Sequence, residues 1–253
     1  MRFVPHHILP GYSHTYSIMK LFHFTKKEFA LLAIRDQRLK VAQIDKLNDP
    51  FEFRPYLHPD ENEIDMFNRF KQWVSERTGI LCFSRKSDNP VQWAHYGDSH
   101  QGVALEFCVN DDNVCEVKYS CEPVRIDLKK GRQDGGFLDK DYGDILLELA
   151  TTKWEQWQYE NEVRVFCPFN ECQKVDDLWY ESFGANMTLV GIVIGYNCHL
   201  TDEVIKSNLP PNYQISVTRV ELDFSSFKVV ETQKYTIKDP GQAAKPSQNA
   251  QAT

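Results

Sequence analysis

Short stretches rich in strand-forming residues recur along the chain with no helix regularly placed between them. Lys20–Phe24, the Leu39–Val41 pair, Ile80–Ser84, Gly102–Val109, Val114–Tyr119, Asn161–Cys167, Leu189–Ile194, Tyr213–Val220 and Phe227–Lys234 all read as strands. Four helices are expected beside them. Thr25-Lys-Lys-Glu28 has the form of a capping box, followed by Phe29, Leu32 and Ala33 on one face through about Asp36. Asp60 to Arg77 repeats Ile64, Phe67 and Val74 at helical spacing and stops before Gly79. Asp88-Asn-Pro90 opens a short helix that runs through Tyr96 and closes at Gly97. A Gly-rich loop at 131–136 leads to a helix over about Leu138–Gln158. Strands outnumber helices and the two do not alternate. That pattern predicts an α+β protein with a mixed or antiparallel central sheet and several flanking helices.

One domain over 20–238 is expected, with an N-terminal segment at 1–19 and a tail at 239–253. The tail, DPGQAAKPSQNAQAT, has no large apolar residue and cannot bury a core. The 253 residues include 16 Phe, 11 Tyr and 5 Trp, enough aromatic surface for a core and for a lined pocket. No apolar run reaches the roughly 18–20 residues that cross a bilayer. Seven cysteines without a CxxC pair make a poor disulfide framework, and the opening MRFVPHHILPG lacks the pattern of a signal peptide. A cytoplasmic protein with reduced thiols is the expectation. His6 and His7 have no Cys or His partner at metal-binding spacing, and no metal is predicted. The net charge of -7 disfavours a generic polyanion-binding surface. It is uneven: residues 1–50 hold eight Lys/Arg against four Asp/Glu, or +4, which leaves -11 for the remainder. A basic opening section can meet a phosphate-bearing ligand, although a solvated face explains it equally well.

Four segments carry polar residues that a core or a simple turn does not require. In Leu21-Phe-His-Phe-Thr25, strand alternation turns His23 away from Phe22 and Phe24, where it serves either a ligand or a buried hydrogen bond. In Leu47-Asn-Asp-Pro-Phe-Glu52, Asn48 or Asp49 can hold the turn together, but turn chemistry does not account for Phe51 and Glu52. From Ile80 to Val109, a strand ends in Ser84 and a short helix presents Trp93, His95 and Tyr96. They line a pocket for a planar ligand or pack the helix. In Lys153–Phe166, an extended 160–166 puts Glu160, Glu162 and Arg164 on one face, behind Trp154 and Trp157, which would keep the site partly dry. A salt-bridged surface strand is the alternative.

Taken together these segments resemble a bacterial family known as domain of unknown function 2971. The resemblance is carried by His23–Thr25, Asn48–Glu52, Ser84, Trp93–Gly102 and Lys153–Arg164, with Gly191–Gly195 also fitting, and it covers roughly residues 20–220. The family has no assigned activity. A second resemblance, of layout only, is to ADP-ribosyltransferase folds, with a histidine on an early strand, a Ser/Tyr-bearing segment in the middle and a late Glu-x-Glu. It implies an NAD-consuming enzyme, of the kind found among bacterial toxins and anti-phage effectors. NAD would be the substrate. His23 would bind ribose, Glu162 would be the catalytic carboxylate and Glu160 would orient an acceptor of protein or nucleic acid. Tyr96 or Trp93 would stack on the base and Arg164 or Arg35 would meet phosphate, while Thr25, Ser84 and Asn48 complete the nucleotide-binding set. In this sequence the middle tyrosine, Tyr96, lies on a predicted helix, not on a strand. The other classes left open are a non-catalytic module that binds a nucleotide or a partner protein of a multi-gene system, and a metal-dependent hydrolase using Asp49, Glu52, Glu160 and Glu162. No membrane partner is expected.

Overall fold

The computed structural model describes residues 17–56, 61–126, 132, 133, 136, 137 and 139–238, without the side chains of residue 61 and residues 132–142. The expected N-terminal segment and tail therefore lie outside the described residues, apart from 17–19; the first strand already begins at Ile18. In chain order come β1 (Ile18–Thr25), α1 (Lys27–Asp36), β2 (Arg38–Lys40), β3 (Ala42–Gln43), α2 (Glu61–Ser75), β4 (Thr78–Ser84) and α3 (Pro90–Tyr96). Next are β5 (Val103–Asn110), β6 (Cys115–Glu116), β7 (Lys118–Ser120), β8 (Arg132–Gln133), β9 (Gly136–Phe137), α4 (Asp139–Ala150) and β10 (Thr152–Trp154). The chain continues through β11 (Glu162–Pro168), β12 (Gln173–Val175), β13 (Leu178–Ser182), β14 (Met187–Ile194), α5 (Asp202–Asn208), β15 (Gln214–Asp223) and β16 (Lys228–Lys238).

The protein is α+β, and its main sheet is mixed. Nine strands form it in the order β16-β15-β14-β5-β1-β4-β11-β6, with β3 added beside β4. Only β14 and β15 run parallel within it; the other pairings are antiparallel. The strands alternate between two apolar layers, as a sheet covered on both faces requires. Leu21, Phe83, Leu105 and Phe107 join α1 and α5 in one layer. Phe22, Ala104 and Val193 meet Trp93 of α3 in the other. A separate cluster of Phe53, Phe67, Phe70, Val74 and Leu149 binds α2 and α4 to the segment before β4.

Several elements differ from what local pattern predicts. Thr25 is the last residue of β1, paired to Val103, and α1 is capped by Lys26 with no side-chain bond. Pairing with β5 holds Thr25 in the sheet, so the capping box does not form. The buried face of α1 is Ala30, Ala33 and Ile34, leaving Phe29 and Leu32 exposed. On α2 the buried face is Phe67, Phe70 and Val74, while Ile64 points outward. The expected strand over 114–119 breaks into β6 and β7, which join different sheets. The long helix expected over 138–158 stops at Ala150, because 152–154 pairs in parallel with β7 and Glu155–Glu160 tightens into a 3-10 helix.

Candidate functional site

The site forms where the main sheet splits. Strand β1 pairs with β5 at every residue from Ile18 (with Asn110) to Thr25 (with Val103). On its other side β1 meets β4 through one pair, Phe22 with Ser84. Backbone groups left unpaired at such a gap need other partners, and side chains supply them. His23 Nδ1 donates to the Cys82 carbonyl at 3.0 Å. Since a carbonyl only accepts, Nδ1 carries the proton and Nε2 of the neutral ring is left as an acceptor. Burial lowers the His23 pKa, partly offset by the Cys82 carbonyl, and so favours that neutral ring. His23 also packs edge-on to Phe83.

The gap opens on a cavity of about 140 Å³ whose lining includes His23, Asn48, Glu52, Ser84 and Tyr96. Its far wall is an ionic cluster. Arg164 on β11 holds Glu162 with both arms, Nε to Oε1 at 2.8 Å and Nη2 to Oε2 at 3.0 Å. The same Nη2 binds Glu52 from the 48–52 turn, and Nη1 caps α4 at the Ala150 carbonyl, 2.7 Å away. Lys153 of β10 donates to Glu160 at 2.6 Å and Glu162 at 3.2 Å, lies 3.8 Å from Glu52 and packs on the Trp157 ring. Tyr96 donates to the remaining Glu160 oxygen at 2.5 Å and accepts from Asn48 at 3.1 Å.

Glu160 is not on a strand. It ends the 3-10 helix, and Asn161 at φ 48° turns the chain before β11 begins at Glu162. An extended 160–166 would have put the two carboxylates on one face by alternation. A left-handed residue brings them to a shared lysine instead, and asparagine tolerates that conformation better than most residues. Buried polar groups then fix the Glu160 backbone: Ser84 Oγ donates to its carbonyl at 2.7 Å and Gln92 Nε2 at 3.0 Å. The Glu162 amide donates to Tyr119 Oη at 2.8 Å.

Three carboxylates face two cations here, so the buried cluster carries one uncompensated negative charge when all are ionised. Burial works against the charge on Glu162, but Arg164 and Lys153 outweigh it and hold its carboxyl well below the ordinary range. For Glu160, burial and the neighbouring Glu162 prevail over Lys153 and push its pKa up. Burial likewise opposes the charge on Lys153, and Glu162, Glu52 and Glu160 overcome it and keep the amine protonated. Tyr96 is driven far above its usual value by burial and then by Glu160, so it stays a donor. Paired carboxylates whose environments push them apart are the pattern that separates an acid–base group from a permanent anion.

The structure thus brings His23, Asn48, Ser84, Tyr96, Glu160, Glu162 and Arg164 around one cavity. Other expected placements need correction. Trp93 is wholly buried in the opposite apolar layer, its Nε1 donating to the Ser87 carbonyl, because α3 packs onto Phe24 by this ring. It has no surface for a ligand. Arg164 is equally inaccessible at 1% exposure, and its guanidinium is spent on Glu52, Glu162 and Ala150, so it is not available to a phosphate. Arg35 lies outside the cavity on the exposed end of α1, paired to Asp36. Thr25 lines a neighbouring cleft and not the small cavity. Trp154 is half exposed and does not shield the carboxylates. Two residues central to the cluster, Glu52 and Lys153, were outside the expected nucleotide-binding set: Glu52 was named for the metal-dependent alternative, and both otherwise only as parts of the family resemblance. Glu52 stood unexplained in its turn, and Lys153 was hidden by the helix assigned to that stretch. Among the described residues, no group of three or more His, Cys, Asp or Glu is placed to hold a metal ion.

Residues 92–165 match a family model, described as protein of unknown function (DUF2971). The resemblance is borne out over that stretch. It begins within α3 and runs through the Lys153–Arg164 half of the cluster, so the matched segment carries much of the site. No curated protein and no solved structure matches the chain. No helix among the described residues is long and apolar enough to cross a membrane.

Proposed function

We propose that this protein cleaves the nicotinamide–ribose bond of NAD and passes the ADP-ribose to an acceptor, on an ADP-ribosyltransferase-like arrangement of β1, β4 and β11. The observation that carries the reading is the unbalanced charge of the buried cluster: Glu52, Glu160 and Glu162 against Lys153 and Arg164. Loss of nicotinamide builds positive charge on the ribose. A preorganised, water-poor site with one negative charge in excess stabilises that transition state and not the neutral sugar. Glu162, kept ionised, is the stabilising carboxylate. Glu160, with its raised pKa, is the group suited to take the proton of the incoming acceptor.

Two further features support a dinucleotide. His23 Nε2 is an acceptor, matched to a ribose hydroxyl as donor. The small cavity takes one ring or sugar, not a whole dinucleotide, but His23 also lines a second cleft of about 560 Å³ that includes Arg38, Lys40 and Lys46. That cleft offers the cations for the phosphates that Arg164 and Arg35 do not. Incubation of the purified protein with NAD and a cell extract should release nicotinamide, with Glu162→Gln slowing release by at least 100-fold, about 2.7 kcal/mol of transition-state stabilisation. No release and no labelled acceptor would sink the proposal.

A second reading is favoured by one observation. Both oxygens of Glu160 and of Glu162 already have partners within the cluster. The same pocket would then bind a nucleotide without turning it over, and saturable NAD binding with no nicotinamide released, unchanged in Glu162→Gln, would select it.

A further inference from the structure

Phe51 and Glu52 are adjacent and face opposite ways. Glu52 is 3% exposed, inside the ionic cluster, whereas Phe51 is 74% exposed and lines another cleft of about 680 Å³. Lys153 lines both spaces, so the two cavities adjoin at that residue. A volume of this size is ordinary for a small-molecule site.

The second cleft differs in character from the first. Phe51, Tyr56 and Trp154 all expose ring surface in it, with Trp154 at 51%. Single exposed apolar residues mean little, but several rings in one concavity mark a binding surface. The rings stand on defined supports. The Tyr56 amide donates to the Val124 carbonyl at 2.7 Å and the residue bridges to Arg125, whose guanidinium lies 4.6 Å from the Tyr56 ring centre. Trp154 is fixed by the pairing of β10 with β7. Arg125 itself is outside the lining, and Arg54 supplies the guanidinium there, with Glu122 also on the wall. Aromatic faces select planar rings, and guanidinium groups select anionic substituents.

We propose that this cleft is a separate binding site for a small planar aromatic compound bearing one anionic group. The ring stacks in the Phe51, Tyr56 and Trp154 concavity and the anion meets Arg54. The site does not rest on the NAD reading, since none of its recognition elements belongs to the carboxylate cluster.

Calorimetric titration of the full chain with naphthalene-1-sulfonate and with 1-naphthalenemethanol tests it, the two probes having the same ring with and without charge. The expected result is saturable one-to-one binding of the sulfonate, weakened about tenfold or more by Trp154→Ala and by Phe51→Ala, the range of one lost stacking contact. Trp154→Phe should restore most of it. Both side chains are exposed, so these variants keep the fold, and an unchanged melting temperature verifies that. Glu162→Gln should leave sulfonate binding as it is, which separates this site from the proposed NAD chemistry. Arg54→Gln should abolish the preference for the sulfonate over the alcohol. Absence of saturable heat, or binding that Trp154→Ala and Phe51→Ala do not alter, overturns the site. Equal binding of the two probes overturns the anionic half of the assignment.

Discussion

The two sides of β1 behave as different materials. Toward β5 it forms eight consecutive residue pairs, and the layer around Leu21, Leu105 and Phe107 is closed and apolar. Toward β4 it forms one pair, and the space beyond is held by a histidine bonded to a carbonyl and, on the far wall, by five charged side chains. A fully paired edge leaves no backbone group to recognise anything. A split edge leaves a hole that polar side chains must fill, and those side chains can meet a ligand. The β5 side of β1 is held by backbone pairing and apolar packing, the β4 side by buried polar and charged side chains.

The sharpest way to break that comparison is to remove a charge from the open side. Lys153→Met leaves Glu52, Glu160 and Glu162 buried with one cation, and should cost about 3–5 kcal/mol in denaturant unfolding. A cost below about 1 kcal/mol would mean the cluster is not desolvated as described. Leu105→Ala on the closed side should cost about 2–5 kcal/mol by cavity formation and leave ligand binding at the split untouched. Loss of binding in that variant would make the two sides one unit.

The pH dependence of melting separates the sides further. Glu162 has a lowered pKa in the fold and takes up its proton at about the ordinary value of 4.5 when unfolded. Its stabilisation is therefore complete above about pH 4.5 and lost as the pH falls below it. His23, lowered from 6.5, behaves alike in direction, with stability declining once the pH drops below 6.5. Glu160, being raised, runs the other way and partly offsets both. Acid melting curves should keep this decline in Leu105→Ala and flatten below pH 4.5 in Glu162→Gln; a decline unchanged in the latter would refute the assignment. The smallest effect is expected from Ser84→Ala, which removes one buried hydroxyl donor to the Glu160 carbonyl and should cost about 1 kcal/mol. Its mark should be in ligand binding more than in melting, because Gln92 retains the same carbonyl.

Much of the strand inventory was legible because apolar runs such as Leu189–Ile194 are short, β-branched and bounded by turn residues. The short helix α3 was legible too, since Asn89, Pro90 and Gly97 are cap residues whose chemistry is local. Stretches with mixed signals misled. Residues 151–160 contain helix-compatible Glu and Gln, yet pairing of Thr152–Trp154 with β7 and the left-handed Asn161 override them. The Thr25 cap failed for the same reason: a contact with β5, distant in sequence, outbid a local one.

By itself the sequence determined the α+β class, most of the sheet's strands and a list of polar residues that a core does not need. Only the tertiary structure decided which of those residues face one another. It put Glu52 beside Arg164 across 112 positions of chain, set His23 at the gap where β1 and β4 share one pair, and withdrew Trp93 into the apolar layer. The physical reason is range. Strand periodicity and capping act over a few residues, whereas burial and charge pairing act between residues that share a place and not a neighbourhood in the chain.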